Sequence, residues 1–159
     1  MSDDNVQAQS GPKPDPALKR LEKFIGIWDM KGRTLNSKED NVVGRATFEW
    51  LPGGFFLQQR IELNFMGMEL RSVELIRYDS ETQTFPSLVY SNMSPIPLPY
   101  KWDVKDDTLT ISVAYGPLDA TFTGKFSKDG RSFSGGWRPN PGADETINVP
   151  YDIEGTRAV

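Results

Sequence analysis

The hydrophobic pattern of the chain changes its period once, from helical spacing to alternation. Leu18, Leu21 and Ile25 recur at helical spacing near the N-terminus. Asp15 is a suitable N-cap for this segment, and Pro16 fits the first helical position. After this segment apolar and polar residues alternate, with turn signals about every 8–14 residues. The sequence therefore predicts one short helix followed by about ten β-strands.

The predicted strands are joined by short links, so neighbouring strands are expected to run antiparallel. Pro52-Gly53-Gly54 and Lys128-Asp129-Gly130 are such links, whereas a parallel crossover needs about a dozen residues or more. Closure of this meander into an up-and-down barrel would remove the open edges. We therefore predict an all-β, antiparallel barrel, with a two-sheet sandwich as the alternative. The strands are expected at about 26–35, 42–51, 55–65, 68–79, 85–91, 99–105, 108–115, 120–127, 132–139 and 149–157.

The alternation places many large aromatic rings on the inward face of these strands. One interpretation is a filled core. The other is an aromatic-lined cavity, because a barrel of about eight strands or more is wide enough to hold one small ligand. The inward rings are Trp28, Phe48, Trp50, Tyr90, Trp102, Tyr115, Phe122, Phe133, Trp137 and Tyr151.

The predicted strand 68–79 has no clearly apolar face, because either choice turns an acidic side chain inward. A buried carboxylate is costly unless it is paired or hydrogen-bonded, so this strand is expected to border water or a polar cavity. The best candidates for acid–base catalysis lie here: Glu74 with Tyr78, or Glu69 with Arg71. An ion pair or a solvated face is the alternative interpretation.

The composition excludes several classes of chemistry. The 159 residues contain no cysteine and no histidine, which rules out thiolate and histidine nucleophile systems, His-ligated zinc and His-ligated haem. The net charge of −4 argues against nucleic-acid binding. We predict no metal and no cofactor. A metal would need oxygen ligands, and the aspartates in the turns lack the spacing of a calcium loop.

The termini and the hydropathy indicate a single domain without a targeting segment. Residues 1–14 are polar and are expected to form a disordered tail, with one barrel domain at 15–159. The chain has neither a signal-peptide pattern nor an apolar run long enough to span a membrane. A cytoplasmic location is therefore expected.

A short helix, then Gly26-x-Trp28 on the first strand and Arg157 on the last, resembles the lipocalin and calycin superfamily. The resemblance implies that Trp28 and Arg157 form a structural pair, with the guanidinium packed over the indole at the closed barrel end. More distantly, the chain resembles the ten-stranded, haem-binding nitrobindins. Their haem function is not carried over, because this chain has no histidine to serve as the axial ligand.

A bacterial family of lipocalin-like domains of unknown function is more similar still, across about residues 18–157. Leu21-x-x-Phe24-x-Gly26-x-Trp28, the hairpin Leu51-Pro52-Gly53-Gly54-Phe55-Phe56 and Tyr78-Asp79 carry this resemblance. It implies the fold and supplies no reaction.

The leading functional hypothesis is a barrel that binds a small, mostly apolar molecule in its interior. An enzyme (a cyclase, isomerase or lyase) that uses a cavity carboxylate or tyrosine is one alternative, and an interaction scaffold, possibly a homodimer, is another. Gln59, Tyr90, Tyr115 and Arg157 are the polar candidates for orienting a ligand. The predicted cavity residues are Phe48, Trp50, Gln59, Ile61, Leu63, Tyr90, Trp102, Tyr115, Phe122 and Trp137.

Overall fold

A computed structural model of the protein describes residues 11–158. The first ten residues of the predicted tail 1–14 lie outside this range. The described chain forms one 3₁₀ helix and ten strands. The helix is η1 (Pro16–Phe24), and the strands are β1 (Gly26–Thr34), β2 (Val42–Trp50), β3 (Leu57–Phe65), β4 (Met68–Ile76), β5 (Phe85–Ser91), β6 (Leu98–Lys105), β7 (Thr108–Tyr115), β8 (Leu118–Phe126), β9 (Ser132–Pro139) and β10 (Tyr151–Arg157).

The ten strands close into an antiparallel barrel in which each strand pairs with its sequence neighbours. Closure is made by β1 and β10, where Trp28 lies opposite Arg157 and Thr34 opposite Tyr151. The prediction of an up-and-down barrel is confirmed, and the two-sheet sandwich is wrong. Tight turns allow this topology: Met66 and Gly67, between β3 and β4, both have positive φ (53° and 88°), as two-residue hairpin turns require.

The predicted helix is present, and its period is three residues rather than 3.6. Asp15 caps it by accepting a hydrogen bond from the N–H of Ala17 at 2.9 Å. In a 3₁₀ helix positions three apart lie on one face, so Leu18, Leu21 and Phe24 are the buried residues. Ile25, which the helical spacing placed in the apolar stripe, follows the helix as its C-cap.

This helix closes one end of the barrel. The Phe24 ring lies 5.4 Å from Phe48, 5.4 Å from Trp102 and 4.9 Å from Phe126, measured between ring centroids. Aromatic rings at these separations pack closely, so Phe24 fills the barrel interior at this end. The opposite end carries the connections at 35–41, 92–97 and 140–150, and the last of these is the longest connection of the described barrel. We call these the closed end and the open end.

The closed end is tied together by Trp28 and Arg157. The guanidinium carbon of Arg157 lies 4.3 Å from the centre of the Trp28 ring, and the guanidinium donates to the carbonyls of Lys23, Ile25 and Gly130. The Trp28 indole N–H donates to the Phe24 carbonyl at 2.8 Å. The first strand, the last strand and the helix are thus joined by one stacked pair, as the resemblance implied.

Candidate functional site

The barrel encloses a cavity of about 500 Å³ between the closed-end rings and the loops of the open end. This volume falls within the roughly 300–1,000 Å³ typical of small-molecule sites. Most of its wall is aliphatic or aromatic, and a few polar groups interrupt it. Apolar lining residues include Met30, Ile61, Leu63, Leu70, Val89, Leu98, Ile111, Val113, Phe122 and Trp137.

Seven of the ten predicted cavity residues line this space together. They are Phe48, Gln59, Ile61, Leu63, Trp102, Phe122 and Trp137. Their strands show a regular alternation, so the inward phase could be identified from the sequence. Phe133 and Tyr151, which belonged to the predicted inward rings, also line the cavity.

The other three predicted residues lie outside the cavity. Tyr90 is 46% exposed because β5 turns Phe85, Ser87 and Val89 inward and the even-numbered residues outward. Tyr115 is 45% exposed because it is the last residue of β7, beside the hairpin turn at the open end. The inward and cavity-lining placements of these tyrosines are therefore wrong.

Trp50 ends β2 at the closed end and packs against the core without reaching the cavity wall. Its alternation phase was assigned correctly. Its position along the barrel axis was not predicted correctly, because alternation shows which face a residue occupies and not how far along the barrel it lies.

Glu74 is the carboxylate that lines the cavity in the described chain. It lies on β4 and is 7% exposed. Its Oε2 atom accepts two hydrogen bonds, from Ser87 Oγ at 2.6 Å and from the Trp102 indole N–H at 2.7 Å. The alternation alone did not show which face of this strand points inward. In the structure the inward residues of β4 are Leu70, Ser72, Glu74 and Ile76.

Burial raises the pKa of Glu74 from its ordinary value of 4.5 to about 7, while the bonds from Ser87 and Trp102 hold the pKa below what burial alone would give. Burial disfavours the charged form, and hydrogen bonds donated to the carboxylate favour it. Near neutral pH the group is therefore present in both its protonated and its ionised form.

The second carboxylate oxygen of Glu74 faces the cavity. Within residues 11–158, no side chain or backbone group hydrogen-bonds to Oε1, and no inaccessible side-chain oxygen or nitrogen lacks a partner. Since Glu74 lines the cavity, Oε1 retains access to it. Gln59, another lining residue, lies directly opposite Glu74 in the β3–β4 ladder.

Two tyrosines also belong to the polar part of the wall. Burial, and then the nearby charge of Glu74, raise the pKa of Tyr100 to about 12. Burial, followed by the influence of Tyr100, raises the pKa of Tyr151 as well. Both phenols are therefore neutral hydrogen-bonding groups at physiological pH. Tyr100 was not predicted, although it shares an inward phase with Trp102 and Val104 on β6.

Neither candidate catalytic pair of the predicted strand 68–79 assembles in the cavity. Tyr78 lies beyond β4, packs on Phe85 with ring centroids 5.2 Å apart, and does not line the cavity beside Glu74. Glu69 and Arg71 form an ion pair at 3.0 Å on the outer surface, with both side chains more than half exposed. Glu74 is the one of these four residues that reaches the cavity.

No group of three or more acidic, cysteine or histidine side chains within 11–158 is arranged to hold a metal ion. No helix in the same range has the length and hydropathy to cross a membrane.

Comparison with known proteins places the chain in a family. Residues 13–132 match the model described as "Protein of unknown function (DUF1579)". The chain belongs to this family. The match extends from just before η1 to the first residue of β9 and so includes Glu74 and its hydrogen-bonding partners.

The fold has a counterpart among solved structures. The chain is similar to the crystal structure of Rv2717c from M. tuberculosis, at 12% identity and a TM-score of 0.58, with 92% of this chain and 100% of that chain covered. At this level of identity the similarity concerns the fold alone. No curated protein matches this DUF1579 chain.

Proposed function

We propose that this protein binds one small, mostly apolar molecule inside its barrel. The observation that carries the proposal is the cavity of about 500 Å³, whose wall is largely apolar with a small polar group of residues around Glu74. Small-molecule sites commonly combine an apolar wall, which supplies affinity, with a few polar groups that fix orientation.

The lining of the open end supports the same proposal. Met93, in the Pro-rich connection between β5 and β6, lines the cavity, as does Leu98, the first residue of β6. Ile147 and Val149 line it from the connection between β9 and β10. A ligand in the barrel would thus contact loops as well as strands, and these loops would be its route of entry.

Kinship with lipocalin-like proteins is part of the proposal. The helix, Gly26-x-Trp28 and the stacked Arg157 occupy the positions that the resemblance implied. Gly26 has φ of 124°, and a Cβ there would lie 3.0 Å from the Arg157 guanidinium, so the glycine leaves room for the stack. These features support a shared closed end.

Two neighbouring residues of β5 provide a matched test. Val89 lines the cavity, and Leu88 lies on the outer face with 42% exposure. Val89→Trp should fill part of the cavity and weaken binding of the neutral fluorescent probe N-phenyl-1-naphthylamine about tenfold or more, and Leu88→Trp should leave binding unchanged. Far-UV circular dichroism would verify that both variants fold. Failure of the wild type to bind any neutral apolar probe would refute the proposal.

Acid–base catalysis on the bound molecule is a second candidate, favoured by one observation: the carboxyl group of Glu74 faces the cavity and has a pKa of about 7. A general acid or base works best when its pKa lies near the working pH. Incubation of a co-purifying ligand with the protein in D₂O would test this. Deuterium incorporation that Glu74→Gln abolishes would support catalysis, and absence of exchange in the wild type would count against it.

A further inference from the structure

We infer that the molecule bound by this barrel is a cationic amphiphile, an apolar molecule carrying one protonated amine that pairs with Glu74. The inference rests on the proposed function, because it names the class of ligand for the same cavity. Three features of the cavity support it: the geometry of the acceptor atoms, the charges that face them and the polarity of the remaining wall.

The acceptors around Glu74 suit an ammonium group. Oε2 is already occupied by Ser87 and Trp102, and Oε1 faces the cavity without a partner in residues 11–158. Gln59, directly across the β3–β4 ladder, supplies an amide oxygen, and directly opposed side chains have Cβ atoms about 4.5–5.5 Å apart. Tyr100 supplies a phenol oxygen close enough to be influenced by the Glu74 charge. An ammonium carries three donors, and this wall presents three kinds of acceptor.

No free cation faces Glu74 from the described wall. The elements around it present Gln59 from β3, Ser87 from β5, Tyr100 and Trp102 from β6, and Tyr151 from β10. Arg138, on β9, also lines the cavity, but it donates to Asp152 Oδ1 at 2.7 Å and to the carbonyl oxygens of Trp137 and Tyr151. Its side chain is 47% exposed at the open end, so its charge is paired and solvated there.

This distribution of charge disfavours an anionic ligand. A carboxylate placed near Glu74 would set two negative charges in one low-dielectric cavity, and one of them would have to take up a proton. A protonated amine has the opposite effect, because it compensates a carboxylate that otherwise has only two neutral hydrogen bonds. The alkyl or aryl body of such a ligand would lie against the apolar wall toward the open end.

Three probes with the same ten-carbon tail separate the possibilities: decylamine, decanol and decanoate. Isothermal titration calorimetry on the full chain at about pH 8, where an alkylamine with a pKa near that of lysine is protonated, would give the affinity of each. Decylamine should bind about tenfold more tightly than decanol, the effect of one charge-assisted hydrogen bond. Decanoate should bind most weakly.

Glu74→Gln keeps the size of the side chain and removes its charge, so the decylamine-to-decanol affinity ratio should fall to about one. Glu81→Gln is the matched control. Glu81 is an exposed glutamate in the turn between β4 and β5, so this variant changes net charge equally and should leave the ratio unchanged. A second measurement needs no variant: decylamine affinity for the wild type should fall as the pH is lowered from about 8 to about 6, as Glu74 takes up a proton.

The outcomes distinguish this inference from the proposed function. Decanol binding as tightly as decylamine, decanoate binding best, or a decylamine preference that survives Glu74→Gln would each overturn the amine inference and leave apolar binding intact. Absence of binding for all three probes would overturn both. The pattern that supports both is selective decylamine binding that depends on Glu74 and on pH.

Discussion

Replacement of Glu74 by glutamine should change how stability depends on pH. The wild-type carboxyl group has a pKa of about 7 in the folded protein and an ordinary value of 4.5. Below about pH 4.5 the group is protonated in both states and burial carries no ionisation penalty. Between the two values the unfolded chain releases this proton and the folded chain keeps it. The free energy of unfolding therefore decreases as the pH rises through this window.

The magnitude follows from the same two values. Each pH unit between 4.5 and about 7 costs about 1.4 kcal/mol, so the full penalty reaches about 3 kcal/mol above neutral pH. Glu74→Gln has no group to ionise at this position. Its stability relative to the wild type should therefore be about 3 kcal/mol more favourable at about pH 8 than at about pH 4.

Urea denaturation followed by far-UV circular dichroism would measure this difference, because the other carboxyl groups titrate in both proteins and cancel. Tryptophan fluorescence is less suitable, since the Trp102 indole donates directly to Glu74. Glu81→Gln serves again as the control and should track the wild type at every pH. A difference between Glu74→Gln and the wild type that stays constant within about 0.5 kcal/mol from pH 4 to pH 8 would refute the reasoning.

Two further predictions concern the closed end and the carboxylate. Arg157→Lys should lower the free energy of unfolding by about 2 kcal/mol in urea denaturation, because lysine cannot reproduce the planar stack and the three carbonyl contacts. The control variant Arg45→Lys, at an exposed ion pair, should lower it by less than about 0.5 kcal/mol. Equal losses in the two variants would contradict the role of Arg157 at the closed end. Trp102→Phe removes a donor that lowers the pKa of Glu74, so an NMR titration of the Glu74 carboxyl carbon should show a midpoint above the wild-type value of about 7, and an unchanged midpoint would be inconsistent with the hydrogen bond.

The sequence predicted the strands well where one face of a strand is consistently apolar. In β7, Leu109, Ile111 and Val113 are all buried, and the inward phase could be assigned from alternation. In β5 the same reasoning failed. Leu88 and Tyr90 are apolar and face outward, while Ser87 faces inward to bond Glu74. The inward face of β5 combines the fully buried Phe85 with Ser87, whose hydrogen-bond partner lies on another strand, and a pattern within one strand does not contain that partner.

The candidate site shows the same division. Most aromatic residues of the cavity wall were predicted, because a large ring in the inward phase of a strand is usually buried in the barrel interior. Glu74 was named as a candidate, but its partners were not, because Ser87 and Trp102 are 13 and 28 residues away along the chain. Tyr78 was paired with Glu74 because both belong to the predicted strand 68–79, which has polar groups on both faces. It lies past the end of β4, where strand spacing no longer determines side-chain direction.

The sequence by itself determined that this chain is a meander of about ten antiparallel strands with a helix at its start, because alternation and turn residues are local properties. It also determined the Trp28–Arg157 pair, through the resemblance at both ends of the chain. Only the tertiary structure decided that the helix is 3₁₀, that β4 turns Glu74 inward, and that the barrel keeps a cavity of about 500 Å³ instead of filling it. These features depend on contacts between distant segments, whose energies no local pattern records.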